Sequence, residues 1–198
     1  IDGGFADTAL CATCSHFSTA ERQYRFPLEL GNQRTPTAQW TVTGAGATLL
    51  GRESPLPLCI ESVTIGSVWD LKQTDANNMG AAMAPAAMQT LKSHLDDLHR
   101  IPEDYDLIVT GDLGLLGKQI VLEQLQQDGF DLAGRYNDCG VMIFDTERQD
   151  VHAGGSGCGC SAITLCGYLL GQLNGGKLKK ILAFLQWLCY TTEMTVNI

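Results

Sequence analysis

The sequence has few basic residues and no long apolar run, and each absence narrows the possible functions. Its 13 Lys and Arg residues stand against 22 Asp and Glu residues, for a net charge of −9. Binding to a phosphate backbone requires a basic face, so we expect no nucleic-acid partner. The longest apolar stretch, Ile181–Tyr190, is too short to span a bilayer. No signal peptide is recognisable, and we expect no transmembrane segment.

The common signatures of catalytic and metal sites are also missing. No P-loop, dinucleotide-binding fingerprint or catalytic-triad spacing occurs, and Asp7, Asp106, Asp138 and the other acids follow no metal-ligand pattern. Cys11 and Cys14 have C-x-x-C spacing, but the second half of a zinc site is absent. We therefore expect no metal and no cofactor. Four of the eight cysteines are predicted to act as small apolar packing residues: Cys59, Cys139, Cys166 and Cys189.

The most informative stretch that is present is Val151–Ala162, which contains four glycines and two cysteines. Glycine lets the backbone approach another group closely. Consecutive N–H groups at the start of a helix favour an anion. The pattern predicts a loop that binds a small ligand at a helix N-terminus. A tight strand-to-helix turn with two buried cysteines is the alternative, and the spacing does not decide between them.

Predicted strands alternate with predicted helices along the chain. The strands are Leu10–Thr13, Trp40–Leu50, Cys59–Trp69, Asp106–Thr110, Gly140–Asp145 and Leu178–Ala183. The helices are Gly80–His99, Leu116–Leu125 and Ala162–Leu173. This order predicts an α/β fold in which helices cover mixed sheets.

Several segments of the chain resemble motifs of one superfamily. Met79–Ala87 is similar to a helix start of thiolases, and Thr41–Ala47 is similar to a glycine-rich strand of ketoacyl synthases. Thr110–Leu113 occupies the place of the thiolase Asn-Glu turn. Within the thiolase superfamily, a further set of segments is Ile1–Ala6, Ser18–Gln23, Met83–Ala87, Tyr136–Gly140 and His152–Ala162. Through these segments the chain resembles the stage V sporulation protein AD family.

The resemblance implies an incomplete thiolase-like fold. Residues 1–57 would be the end of the N-terminal half, and residues 58–198 a truncated C-terminal half. Family members bind dipicolinic acid and help load it into the developing spore, together with membrane proteins of the same operon. The implied location is peripheral, at the cytoplasmic face of the spore inner membrane. Because the superfamily commonly dimerises, a homodimer is a further expectation.

Departures from the enzymes of the superfamily indicate a binding protein. Ser156 falls near the position of the thiolase Gly-His-Pro histidine, and Gly111-Asp112 replaces the Asn-Glu pair. A serine hydroxyl cannot act as a base near neutrality as an imidazole can. His152 would reach the pocket only if its loop folds back. The alternative is an acyltransferase or condensing enzyme that uses a cysteine of the missing N-terminal part.

The residues that we expect at the ligand are His16, Asp112, Gly155, Ser156, Gly157, Cys158 and Cys160. Asp112 ends a strand, where it can also serve as a helix N-cap. His16 follows a strand end and can equally be an exposed loop residue. Arg22 and Arg25 are further candidates, since guanidinium groups bind carboxylates in a bidentate manner. His94 and His99 are predicted to be surface residues.

The chain departs from the family pattern after Leu182, where the family would continue with a strand and a turn of the Ala-Thr-Gly-Ala-Leu-Leu type. This chain has the apolar run Ala183–Tyr190 there instead. A shifted reading frame across Leu185–Tyr190 can encode a sequence close to that turn. We expect a frameshift or a fragmentary gene here, and the nucleotide sequence would test this.

Overall fold

The structure is a computed structural model. It describes the backbone of residues 1, 3–16, 35–52, 58–75, 77–187 and 190–197, with side chains up to residue 184. Arg22, Arg25 and Cys189 lie outside the described residues. The predicted domain boundary falls between residue 57, which is also outside them, and residue 58, which is described. The division into two halves and the frameshift therefore stay predictions.

Nine strands occur in the described part of the chain. They are β1 (Thr8–Ser15), β2 (Trp40–Thr41), β3 (Gly44–Gly51), β4 (Cys59–Ile65), β5 (Leu107–Thr110), β6 (Tyr136–Asp138), β7 (Gly155–Ser156), β8 (Lys180–Trp187) and β9 (Tyr190–Asn197). The main helices are α1 (Met79–Asp97), α2 (Gly114–Gln127), α3 (Cys139–Met142), α4 (Cys158–Thr164) and α5 (Leu170–Asn174), with a π-helical turn at Leu165–Leu169 joining the last two. A 3₁₀ turn covers Pro102–Asp104.

A mixed five-stranded sheet forms the centre, with the strand order β4-β9-β8-β5-β6. Strand β5 pairs in parallel with both β6 and β8, whereas β9 pairs antiparallel with β8 and β4. Side chains alternate between the two faces of a strand, and both faces here are apolar. Ile108 packs in the core beneath α1 and α2, while the adjacent Val109 packs in a second core beneath α4 and α5.

A second, two-stranded sheet lies on the far side of α4. Strands β1 and β3 pair antiparallel along their full length, from Thr8 opposite Gly51 to Ser15 opposite Gly44. Both strands contact α4. The layers are thus helices α1 and α2, the five-stranded sheet, the α4–α5 segment, and the β1–β3 sheet. This confirms the predicted α/β class with mixed sheets covered by helices.

The outer face of the β1–β3 sheet is apolar and exposed. Leu10 and Leu49 face each other across the two strands and are 70% and 69% exposed. Their neighbours on this face, Ala12 and Ala47, are also paired and exposed. The inner face of the sheet packs on α4 where Ser15 and Gly46 are buried, and the outer face is open to solvent.

Three predicted elements differ from the structure. The strand predicted at Gly140–Asp145 is wrong: this run begins as α3, because the Asp138 side chain caps the helix by accepting a hydrogen bond from Gly140 N. The strand predicted at Trp40–Leu50 is two strands in different sheets. The strand that begins at Cys59 ends at Ile65, well before Trp69.

His94 is buried, and its prediction as a surface residue is wrong. Its Nε2 lies 2.7 Å from the Tyr105 hydroxyl and its Nδ1 lies 2.8 Å from Thr64 Oγ1. Arg100 donates to the same Tyr105 oxygen, which leaves the tyrosine proton for His94. Burial, and next the charge of Arg100, lower the pKa of His94 to about 4. The ring is therefore neutral at pH 7; His99, by contrast, is exposed as predicted.

The cysteines that are described are free thiols. Cys139 is buried and Cys166 is half-buried, in line with packing roles, but Cys59 is exposed on the edge strand β4. The prediction of a packing role for Cys59 is therefore wrong. Within the described residues, no helix combines the length and the apolar character that crossing a bilayer demands.

Candidate functional site

Three chain segments meet at the carboxyl ends of β5 and β6. The turn after β5 carries Asp112, the end of β6 carries Asp138, and the glycine-rich segment before α4 carries Ser156. Carboxyl ends of parallel strands collect binding residues in α/β folds, because loops from adjacent strands converge there. Gln39 joins the first and third segments, since its Nε2 donates to the carbonyls of Asp112 (2.7 Å) and Gly155 (3.1 Å).

Asp138 fixes the backbone of this region from inside. Its carboxylate is completely buried and accepts hydrogen bonds from Thr110 Oγ1 (2.7 Å), Leu113 N (2.9 Å), Gly114 N (2.9 Å) and Gly140 N (3.0 Å). Burial raises the pKa of the Asp138 carboxyl to about 7, while the bond from Thr110 acts in the opposite direction. One side chain thus holds the turns after β5 and β6 in a fixed relation.

Asp112 contacts the glycine-rich segment directly. Its Oδ2 accepts a hydrogen bond from Ser156 Oγ at 3.1 Å and another from Gly157 N at 3.1 Å. Ser156 is buried, whereas Asp112 is half-buried. Three of the predicted ligand residues, Asp112, Ser156 and Gly157, are therefore joined by hydrogen bonds, although some 45 positions separate them in the sequence.

The glycine-rich segment needs glycine for its backbone conformation and for its close contacts. Gly157 has a φ of 105°, in the left-handed region that side chains disfavour. It precedes α4, whose first turn is held by Ser15: the Ser15 hydroxyl accepts from Gly159 N at 3.0 Å and donates to the Val42 carbonyl at 2.5 Å. Gly155 belongs to β7, which pairs in parallel with β2.

The two cysteines of the segment lie in α4, which begins four residues before the predicted helix start. The Cys158 thiol is exposed and donates to the Cys14 carbonyl at 2.8 Å. Cys160 is fully buried in the core that also contains Cys139. The two cysteines thus have different surroundings: Cys158 lies at the surface, and Cys160 packs in the core.

The two histidines near the site take no part in the hydrogen bonds that join Asp112 to Ser156 and Gly157. His16 is exposed at the end of β1, next to Ser15. His152 Nδ1 lies 2.5 Å from the Thr35 carbonyl, and its Nε2 lies 3.3 Å from Asp150. The His152 loop therefore does not fold back onto Ser156.

Sequence reasoning missed three residues that build the site: Gln39, Ser15 and Asp138. Asp138 directly precedes Cys139-Gly140, a position where an aspartate caps a helix, and that signal was available. The contacts of Ser15 with Gly159 and of Gln39 with Gly155 span more than a hundred positions and have no local signature. Among the described residues, no cluster of three or more His, Cys, Asp or Glu side chains is placed to hold a metal ion.

Comparison with known proteins gives the family. The family model for stage V sporulation protein AD (SpoVAD) matches residues 1–187. The stage V sporulation protein AD of Bacillus subtilis (strain 168) is 49% identical over 181 residues, which is 91% of this chain and 53% of that protein. The chain thus spans about half the length of the curated relative that it matches.

Solved structures of condensing enzymes share the fold at low identity. OleA of Xanthomonas campestris matches with a TM-score of 0.64 and 15% identity, over 100% of this chain and 60% of that chain. The 3-oxoacyl-(acyl carrier protein) synthase III of Pseudomonas aeruginosa PAO1 matches with a TM-score of 0.59 and 14% identity, over 99% and 59%. These likenesses show a thiolase-like fold. The match of the family model over residues 1–187 shows that the chain belongs to the stage V sporulation protein AD family.

Proposed function

We propose that the protein binds dipicolinic acid, pyridine-2,6-dicarboxylate, and assists its uptake into the developing spore. The observation that carries the proposal is the donor group of Ser156 and Gly157, set on the scaffold of a sporulation protein. A planar dianion needs hydrogen-bond donors for its carboxylates and apolar neighbours for its ring. Val42, Ile143 and Phe144 lie around Gly155 and supply apolar neighbours.

The residue that falls near the histidine position of the superfamily favours binding over acyl transfer. By the family resemblance this residue is Ser156, and its hydroxyl donates to Asp112. A serine with its ordinary acidity does not accept a proton at neutral pH. His152 is held by Thr35 and Asp150 instead. The hydroxyl of Ser156 in place of an imidazole therefore supports binding over acyl transfer.

The proposal extends to location and partners on the basis of the family resemblance. The protein would attach peripherally to the cytoplasmic face of the spore inner membrane, beside the membrane proteins encoded in the same operon. A homodimer would be compatible with this arrangement. Co-purification of the operon's membrane proteins with a tagged chain from sporulating cells tests the attachment. In cells without those proteins, the tagged chain should no longer be found in the membrane fraction.

Calorimetric titration of the chain with dipicolinate tests the binding. We expect saturable binding, and weaker binding of benzene-1,3-dicarboxylate, which keeps the two carboxylates but lacks the ring nitrogen. The Bacillus subtilis relative, titrated in parallel, serves as the full-length reference. If neither protein binds dipicolinate and the relative forms an acyl adduct with acyl-CoA by mass spectrometry, the alternative of an acyltransferase or condensing enzyme replaces this proposal.

Ser156→Ala removes one of the donors assigned to the ligand. Since a hydrogen bond contributes about 1 kcal/mol, we expect dipicolinate affinity to fall about fivefold. Ser67→Ala is the matched control, because Ser67 is an exposed residue of the loop after β4. Equal affinity of the two variants would remove Ser156 from the binding site.

A further inference from the structure

The donors that the proposed function gives to the ligand are already bound by a carboxylate of the chain itself. Asp112 Oδ2 accepts the Ser156 hydroxyl and the Gly157 N–H, each at 3.1 Å. A single O–H or N–H cannot donate at full strength to two carboxylates at once. A ligand carboxylate at this position therefore competes with Asp112 for the same two donors.

The backbone of the turn that carries Asp112 is held in place, whereas its side chain can rotate. Its carbonyl is held by Gln39 Nε2 at 2.7 Å, and the two residues that follow it, Leu113 and Gly114, donate their N–H groups to the buried Asp138 carboxylate. The backbone of the turn is thus fixed on both sides. Asp112 itself is half-buried, so its side chain can turn toward solvent by rotation about its own bonds.

Electrostatics favour this displacement when an anion arrives. The Asp112 and Asp138 carboxyl groups lie near enough for the charge of Asp112 to raise the pKa of Asp138. An incoming dianion would add like charge to the same partly dehydrated region, where charges interact more strongly than in water. Moving the Asp112 carboxylate into solvent removes one of the repelling charges and frees both donors.

We propose that Asp112 is an internal competitor of the ligand: its carboxylate occupies the Ser156 and Gly157 donors until a ligand carboxylate displaces it. This inference rests on the proposed function, since it concerns the same site. It gives Asp112 a regulatory role that limits affinity, in contrast to a direct contact that would increase it. Asp112 sets the threshold of ligand concentration at which the site fills.

The test compares dipicolinate affinity in the wild-type chain, Asp112→Ala and Asp112→Asn by calorimetry. A hydrogen bond to a charged acceptor contributes about 1.5–3 kcal/mol, so removal of the competitor should tighten binding by about tenfold or more. Asp112→Asn keeps the size of the side chain and an acceptor oxygen but removes the charge, so it should tighten binding less than Asp112→Ala does, and it covers the case in which the alanine variant does not fold. Asp96→Asn is the matched control, because it removes one negative charge at an exposed position on α1. This variant should bind dipicolinate as the wild type does.

The inference is supported if the Asp112 variants bind dipicolinate more tightly than the wild type while Asp96→Asn does not. It is also supported if the Asp112 variants bind dipicolinate and the wild type shows no measurable binding. Unchanged or weaker binding in folded Asp112 variants, with saturable binding to the wild type, overturns it and leaves the proposed function standing. If no variant and no wild-type protein binds dipicolinate, the proposed function fails and this inference fails with it.

Discussion

At the scale of single residues, buried polar side chains determine how the turns of this molecule are held. Asp138 accepts four hydrogen bonds without any exposure to solvent, three of them from backbone N–H groups. A buried N–H that loses its partner costs about 1–3 kcal/mol. Asp138 is therefore a structural residue that positions Asp112, and the sequence pattern around it did not indicate how many donors it would satisfy.

His94 shows where sequence patterning misleads at this scale. Its neighbours Lys92, Asp96 and Asp97 suggest an exposed helix face, yet His94 lies on the buried face beside Leu91 and Leu95. His94 follows Leu91 by three positions, which places both residues on the same face of the helix. This spacing is a stronger signal of burial than the charge of the neighbouring residues. The polar partners of the ring, Thr64 and Tyr105, come from outside the helix and had no signature in it.

We expect His94 to make the fold sensitive to acid. Its pKa is about 4 in the folded chain and near 6.5 when unfolded, so between these values the unfolded chain binds more protons. Stability is thus lost as the pH falls from 7 to 4, by up to about 3 kcal/mol from this residue. His94→Gln should reduce that loss, measured by urea unfolding at pH 7 and pH 4.5, although its stability at pH 7 is lower.

The exposed His99→Gln is the control for that experiment and should keep the acid sensitivity of the wild type. If His94→Gln loses as much stability on acidification as the wild type does, the buried ring is not the source of the effect.

At the scale of secondary-structure elements, most of the fold was predictable and the exceptions have physical causes. The helices at α1 and α2 were predicted within a few residues, because their apolar spacing is regular. Residues 140–145 read as an apolar strand, but the cap from Asp138 starts a helix there instead. The meeting of Asp112 with Ser156 was indicated by family resemblance, since no local pattern links positions so far apart.

The crossing of α1 and α2 depends on close backbone contact. A Cβ added to Gly80 would lie 2.6 Å from the Leu113 carbonyl oxygen and 2.8 Å from Gly117 N. Gly80→Ala must therefore separate the two helices, and we expect a loss of about 1–3 kcal/mol in the free energy of unfolding. The loss is measurable by chemical denaturation.

Gly171→Ala is the matched control for that substitution, since a Cβ at Gly171 in α5 would meet nothing within 4 Å. The same chemical change there should stabilise the protein by up to about 1 kcal/mol, because alanine restricts the unfolded chain. Equal effects at both positions would contradict the close-contact explanation.

At the scale of the whole molecule, the layers formed by the described residues leave an apolar face of the β1–β3 sheet uncovered. The outer side of β1 and β3 carries the Leu10–Leu49 pair with alanines beside it, whereas the opposite side packs on α4. Contiguous exposed apolar surface promotes association in water. The sequence predicted a strand in both regions, with β3 as part of the longer strand Trp40–Leu50, but not which face would stay open.

We expect the isolated chain to associate as its concentration rises, and the double substitution Leu10→Lys with Leu49→Glu to reduce that association. The two new side chains stand opposite each other, and opposite charges are favourable across an antiparallel pair. Light scattering after size-exclusion chromatography measures the change. Leu98→Lys with Leu115→Glu changes two separate exposed leucines on the helical side and should have no such effect; a comparable decrease there would point to general solubility instead.

The link between Gln39 and Gly155 joins positions 116 apart, and the short parallel pairing of β2 with β7 lies beside it. During synthesis, the first of these residues leaves the ribosome long before the second exists. Closing so long a loop is entropically costly unless the intervening chain has already become compact. We therefore expect the glycine-rich segment to join this region last. Any translation product that stops before it lacks the β7 partner of Trp40 and the Gly155 carbonyl that Gln39 binds.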